Sequence, residues 1–227
     1  MALYAIGDLH LSLNTDKSME VFGKGWQGYV QRLEAAFAQL NEEDVTVLCG
    51  DLSWGMSLEE SLEDLRFLHR LPGRKILMKG NHDYWWNTAS KMEKFFAAHG
   101  LTSLEILHNN CKWYGDVALC GTRGWFYELD GGHNEKMLLR EAGRLETSLK
   151  AAGDRSKICF LHYPPLYQGY SCPEILHLLR QYDVRACYYG HLHGQSHRRA
   201  VEGEHHGTRY ALVSADYLEF TPKKICD

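Results

Sequence analysis

The 227-residue sequence predicts an α/β layered fold, and three observations predict it. Short apolar runs alternate with stretches at helical spacing for most of the length. Each run is closed by glycine or a polar residue, as expected of strands buried on both faces. Only the end of the chain changes character, with two strand-like segments and no helix between them.

The elements follow in order. Ala2, Leu3, Tyr4, Ala5 and Ile6 open the chain as an apolar run, and further strands are expected at 45–49, 75–78, 117–120, 158–161 and 185–189. Between them, helices are expected at 29–40, 58–71, 88–99, 134–151 and 173–181. Val30, Leu33, Phe37 and Leu40 form a single apolar stripe at helical period. Ser57 precedes Leu58 as an N-cap, with Glu60 placed as the capping-box acid. Segments 207–214 and 217–221 read as an antiparallel pair.

Composition narrows the function. No Pro-, Ser- or Gly-rich stretch and no repeat divides the chain, so one domain over 1–227 is expected. A net charge of -4 offers no track for a polyanion, and His197, Arg198 and Arg199 make the one dense basic cluster. Stable nucleic-acid binding is therefore not expected, although a nucleotide substrate is compatible. Neither a leader peptide nor an apolar run of the roughly 20 residues that cross a bilayer is legible. The seven cysteines include no CxxC pair, and Cys49, Cys120, Cys159 and Cys187 fall in apolar runs as buried small hydrophobes. A reduced, cytoplasmic setting without membrane contact is the expectation; the oligomeric state is not legible.

In open α/β sheets, sites form at the carboxyl ends of strands. Asp8 and His10 follow the first strand, Asp51 the second, and Asn81, His82 and Asp83 the third. His162 follows the run at 158–161, and His191 and His193 follow the run at 185–189. Residues i and i+2 of an extended segment point the same way, so Asp8 with His10, and His191 with His193, can each aim at one place. Carboxylate, amide oxygen and imidazole without thiolate suit hard-to-borderline divalent metals. A carboxylate between two such ions would offset their repulsion, and the pair could clamp both ends of a displacement at phosphorus. Glycine before Asp51, Asn81 and His191 permits tight turns.

These blocks, in order from residue 8 to residue 193, resemble the signature of calcineurin-like metallophosphoesterases. The resemblance implies a four-layer α-β-β-α sandwich with mixed sheets and two divalent ions (manganese, iron, zinc or nickel). By position, Asp8, His10 and His193 would hold one ion and Asn81, His162 and His191 the other, with Asp51 bridging. The implied reaction is hydrolysis of a small phosphoester, diester or monoester, by a bridging hydroxide, with His82 as general acid. One position departs: many members place a second Asp three residues after the bridging one, and here Trp54 stands there. His82 would then be oriented by Asp83, a backbone carbonyl or water.

Around this set, Arg123 is the candidate for bidentate phosphate contact, against a surface ion pair. Trp54, Trp85, Trp86 and Trp125 each follow a site-forming strand. Packing is the default for so large a side chain, and a substrate wall, Trp54 and Trp125 foremost, is the alternative. The loop 11–25, with Lys17 and Lys24, is expected beside the site. The eight histidines outside the blocks read as structural or surface residues. Two rivals are weighed. A catalytically silent scaffold of the same fold should lack ligands or His82, and none is lacking. A dinucleotide-binding domain needs a glycine fingerprint after the first strand, where Asp8-Leu9-His10 stands instead.

Overall fold

The computed structural model describes residues 1–125 and 135–227. The first half supplies strands β1 (Leu3–Ile6), β2 (Val45–Leu48), β3 (Arg74–Leu77) and β4 (Leu104–Ile106), followed by β5 (Cys111–Tyr114) and β6 (Val117–Thr122). The second half adds β7 (Lys157–Leu161), the short pair β8 (Leu166–Tyr167) and β9 (Tyr170–Ser171), and β10 (Val184–Tyr189). It closes with β11 (Gly203–His205), β12 (Thr208–Leu212) and β13 (Lys223–Cys226). The helices are α1 (Tyr29–Phe37), α2 (Leu62–Arg70), α3 (Ala89–Ala98), α4 (Glu135–Ala151) and α5 (Pro173–Gln181). The expected first residue of the fourth helix, Asn134, lies outside the described residues.

The strands form two mixed sheets, ordered β13-β1-β2-β3-β4 and β11-β12-β10-β7-β6-β5. In the first, β1 to β4 run parallel and β13 is antiparallel to β1. In the second, β6, β7, β10 and β12 run parallel between antiparallel edges. Alternation along the strands sorts side chains between layers. Ala5, Val47 and Ile76 join Leu119, Phe160 and Tyr188 in the core between the sheets. Their neighbours Ile6, Leu48 and Leu77 face outward, onto Leu33 and Phe37 of α1, Leu65 and Leu68 of α2 and Met92 and Phe96 of α3. On the far side, Leu145 and Leu149 of α4 and Ile175 and Leu179 of α5 cover Cys120, Cys159, Cys187 and Leu212. The result is the four-layer α-β-β-α sandwich. The four strand cysteines are buried as expected, and all seven are free.

Two expectations are corrected. Segment 217–221 is a turn, in which Glu219 and Phe220 take positive φ values of 50° and 63°. Phe220 is fully buried against Trp26 and Tyr29, so its apolar character reflects packing and not a strand. The last strand is instead β13, on the other sheet, while β12 pairs antiparallel with β11. The second correction is at α2, which begins four residues late. Glu60 donates its amide to Ser57 Oγ (3.2 Å), but its carboxylate accepts from Met56 N–H (2.8 Å), closing a separate turn ahead of the helix.

Among the described residues, no helix is long and apolar enough to cross a membrane.

Candidate metal centre

The parallel strands of both sheets deliver their carboxyl ends to one place. Backbone hydrogen bonds zip these ends together: Asp8 N–H to Gly50 O (2.8 Å), His10 N–H to Asp51 O (2.9 Å), His162 N–H to Arg123 O (3.1 Å) and Gly190 N–H to His162 O (3.1 Å). A bridge from Gly7 to Ser214 joins the first sheet to the second. Side chains that are distant in sequence therefore meet in a crevice outside the strand ends, where parallel sheets place their sites.

Two groups of donor atoms converge. In each, Asp8, His10 and His193, or Asp8, Asp51 and His162, offer ligand atoms within 4.8 Å of one another. Asp51 Oδ2 faces both His10 Nε2 (3.8 Å) and His162 Nε2 (3.5 Å). Asn81 Oδ1 sits 2.6 Å from His162 Nε2 and 3.0 Å from His191 Nδ1. All seven expected ligand residues are thus gathered. Imidazole, carboxylate and amide oxygen at such separations fit divalent ions held at about 2.0–2.2 Å per ligand.

Backbone geometry brings them in, and not in the expected way. Asp8, His10, Asp51 and His191 all adopt left-handed conformations, with φ of 58°, 46°, 52° and 73°. The pairs at i and i+2 converge through these turns rather than along extended chain. Two glycines make room for carboxylates: a Cβ on Gly80 would collide with Asp51, and one on Gly190 with Asp8.

Further groups hold the donors in position. His162 Nδ1 lies 3.1 Å from Cys49 O, which fixes its tautomer and turns Nε2 inward. His193 Nδ1 lies 3.0 Å from Asp216 Oδ1, and Gly194 N–H donates to the other oxygen (3.1 Å). His197 Nε2 approaches Asp216 as well, at 3.2 Å. Asp216 follows β12, a sixth ligand-directing strand end that the sequence reading missed, since a lone Asp after a strand also reads as a turn. Trp26 was likewise missed; it is buried with its ring 6.1 Å from His10 and 5.8 Å from His193.

Asp83 does not orient His82. Its fully buried carboxylate accepts from Gly80 N–H (2.7 Å) and Asp51 N–H (2.8 Å) at Oδ2. Oδ1 accepts from Leu52 N–H (2.8 Å), Ser53 N–H (3.3 Å) and Trp85 Nε1 (2.9 Å). Asp83 therefore clamps the loop after β2 to the loop after β3. His82 donates its own backbone N–H to Asp51 Oδ1 (2.7 Å), and its buried Nδ1 has no partner among the described residues. What packs on the ring is Trp54, 4.9 Å away. Trp54 also stacks on His10 at 4.9 Å and 22°, so it borders the centre. Lys17 lies over the Trp54 ring at 5.7 Å, and both line a cavity of about 290 Å³ with Phe22.

The remaining candidates divide. Trp85 is core, and Trp86 packs partly against the same cluster. Trp125 packs beside α4 and α5, 6.3 Å from Tyr163, whose ring is 4.4 Å from His191. Arg123 lies 3.4 Å from Glu141, the ion-pair alternative.

Crowded charge shapes the centre's titration. Burial, together with Asp83 and Asp8, pushes the Asp51 carboxyl well up. Burial would also raise Asp8, but His193, His162 and His10 hold it below the usual range. Burial takes the His10 and His191 imidazoles down to about 3, so both present lone pairs. Burial works against protonated His193 too, yet Asp216 and Asp8 lift it to about 10. Bound cations would relieve the carboxylate crowding and displace that proton.

Comparison with known proteins bears on the family and the fold. The family model described as calcineurin-like phosphoesterase matches residues 1–195. No curated protein sequence matches. Three solved structures share the fold. A phosphopantetheinyl hydrolase from Mycobacterium tuberculosis is 14% identical, with a TM-score of 0.59 over 99% of this chain and 95% of that one. A protein of unknown function from Aquifex aeolicus is 15% identical, with a TM-score of 0.54 over 98% and 95%. A Thermus thermophilus protein is 12% identical, with a TM-score of 0.51 over 99% and 97%.

Proposed function

The chain belongs to the calcineurin-like phosphoesterase family, and on that premise we propose that it is a metal-dependent hydrolase of small phosphoesters. The observation that carries this is the convergence of seven oxygen and nitrogen donors from five strand ends. Asp8, His10 and His193 would hold one divalent ion; Asn81, His162 and His191 would hold a second; Asp51 would span both. Two ions bound there would acidify a water and neutralise phosphoryl charge.

The chain's own groups supply the rest. Asp216 and the Cys49 carbonyl hold His193 and His162 in the tautomers that aim Nε2 inward. His82 stands beside this cluster, its imidazole kept below the ordinary range by burial and by His162 and His193. It is placed to give a proton to the departing oxygen once substrate raises its basicity. Trp54 and Lys17 form a wall on the His10 side, suited to a planar or apolar leaving group with a negative charge nearby.

A second reading, a catalytically silent member of the fold, is favoured by one observation: His82 Nδ1 lacks a partner among the described residues. One assay separates the two. Metal-stripped protein reconstituted with manganese is tested on bis-p-nitrophenyl phosphate and p-nitrophenyl phosphate, beside Asp51→Asn and His82→Ala. The hydrolase should turn over at least one ester, lose metal and activity with Asp51→Asn, and lose about 10²–10⁴-fold in rate with His82→Ala. Stoichiometric metal binding with neither ester cleaved, across manganese, iron, zinc and nickel, would favour the silent reading.

A further inference from the structure

Beside the metal centre lies a second, smaller cavity of about 130 Å³, walled by Lys79, His108, Arg123, Arg140, Glu141 and Arg144. Four cations face one carboxylate. Glu141 is fully buried and saturated: Thr122 Oγ1 donates to it (2.8 Å), as do Arg144 Nη1 (2.6 Å) and Arg123 Nη2 (3.4 Å). One carboxylate fixes two guanidinium forks in place and balances one charge. Lys79 and Arg140 have no carboxylate partner among the described residues, and Arg123 Nε is buried without a hydrogen-bond partner there. A purely structural ion-pair cluster would approach neutrality. This one keeps an excess of positive charge around a space of oxyanion size, in a chain whose net charge is -4.

The cavity is tied to the centre by the backbone. Lys79 precedes Asn81 by two residues, a reach of at most roughly 7 Å of extended chain. The carbonyl of Arg123 accepts the N–H of His162 (3.1 Å). We propose that this cavity is a subsite for a second phosphate on the substrate, so that the substrate class is a phosphoester bearing a further phosphate group. Glu141 acts there as a positioning residue, holding the Arg123 and Arg144 forks ready for bidentate contact. The proposal rests on the phosphohydrolase reading for its link to catalysis, but not for anion binding itself.

Tungstate, an inert phosphate mimic, tests binding by calorimetry on the metal-loaded protein. Wild type should bind two tungstates, one at the metals and one in the cavity. Asp51→Asn should keep the cavity site alone, and adding Lys79→Met, which leaves every Glu141 bond intact, should weaken that site at least tenfold. Arg144→Ala is a parallel probe, with circular dichroism to verify folding. The substrate arm compares the 5′-p-nitrophenyl ester of thymidine 5′-phosphate with and without a 3′-phosphate. Wild type should favour the 3′-phosphorylated ester about tenfold in kcat/KM, and Lys79→Met should bring that ratio to within twofold of one. Absence of tungstate binding in Asp51→Asn, or a ratio that Lys79→Met does not change, overturns the subsite. Tungstate in the cavity with neither ester cleaved removes the hydrolase reading instead, leaving an anion site of another purpose.

Discussion

Replacing Asp83 by asparagine changes one atom of a group that accepts five hydrogen bonds. The amide oxygen can stand in for Oδ1 and keep Leu52, Ser53 and Trp85 satisfied. The amide nitrogen then faces the N–H groups of Gly80 and Asp51, previously 2.7 and 2.8 Å from Oδ2, and all three are donors. Each lost bond to a charged acceptor is worth about 1.5–3 kcal/mol, so two lost together cost about 3–6 kcal/mol. Burial pushes the Asp83 carboxyl up, so neutralising it returns part of that cost and places the net loss near the lower end. Urea unfolding of the metal-free variant and wild type at pH 7.5 measures this without contribution from bound ions. With an m-value of about 2–3 kcal/mol/M, the midpoint should fall by roughly 1 M. If Asp83 instead oriented His82, the midpoint would stay put and the acid limb of the pH–rate profile would move. A midpoint shift below about 0.3 M would refute the clamp.

Asp216→Asn should lower divalent-metal affinity about 10–100-fold, because the amide cannot hold His193 in its ligating tautomer with the same strength; competition against a fluorescent chelator reads this directly. Asp64→Asn should alter how stability depends on pH. Burial holds the Asp64 carboxyl at about 6, above the ordinary 3.8, against the hydrogen bonds from Ser53 and Leu13. The folded protein therefore keeps a proton that the unfolded chain has released, and stability from this group falls as pH rises from about 4 to 6. Two units at 1.36 kcal/mol each give up to about 3 kcal/mol over the whole window, of which about 2 kcal/mol falls between pH 4.5 and 7, so the variant should gain about 2 kcal/mol on wild type across that range in denaturant titrations.

The ligand-bearing strands were legible because each is an apolar run, buried on both faces, that stops at a residue with unusual chemistry. Val45–Leu48 is fully buried and ends three residues before Asp51. The last strand was not, because Lys223–Cys226 is a half-exposed edge with two lysines. The preceding aromatic segment was more strand-like by composition and turned out to fill a hole beneath Trp26. The metal ligands were legible through order and spacing. Asp216 was not, since its significance comes from β12 running parallel beside β10, a pairing that local pattern does not encode. The clamping role of Asp83 was not legible for a related reason. Its five partners are mostly backbone N–H groups, and backbone donors have no signature in a sequence.

The left-handed turns at Asp8, His10, Asp51 and His191 narrow the alphabet from which this centre can be written. Such backbone costs an ordinary L-residue about 1–2 kcal/mol, and outside glycine the residues that tolerate it best are Asn, Asp and His. Glutamate and cysteine also bind divalent ions, yet at these four positions each would meet that conformational penalty before any metal arrived. The fold thus selects ligand types independently of the ion. Retuning the metal preference by exchanging donors is accordingly hindered by the main chain, and is better attempted at Asn81, His162 and His193, whose conformations impose no such filter.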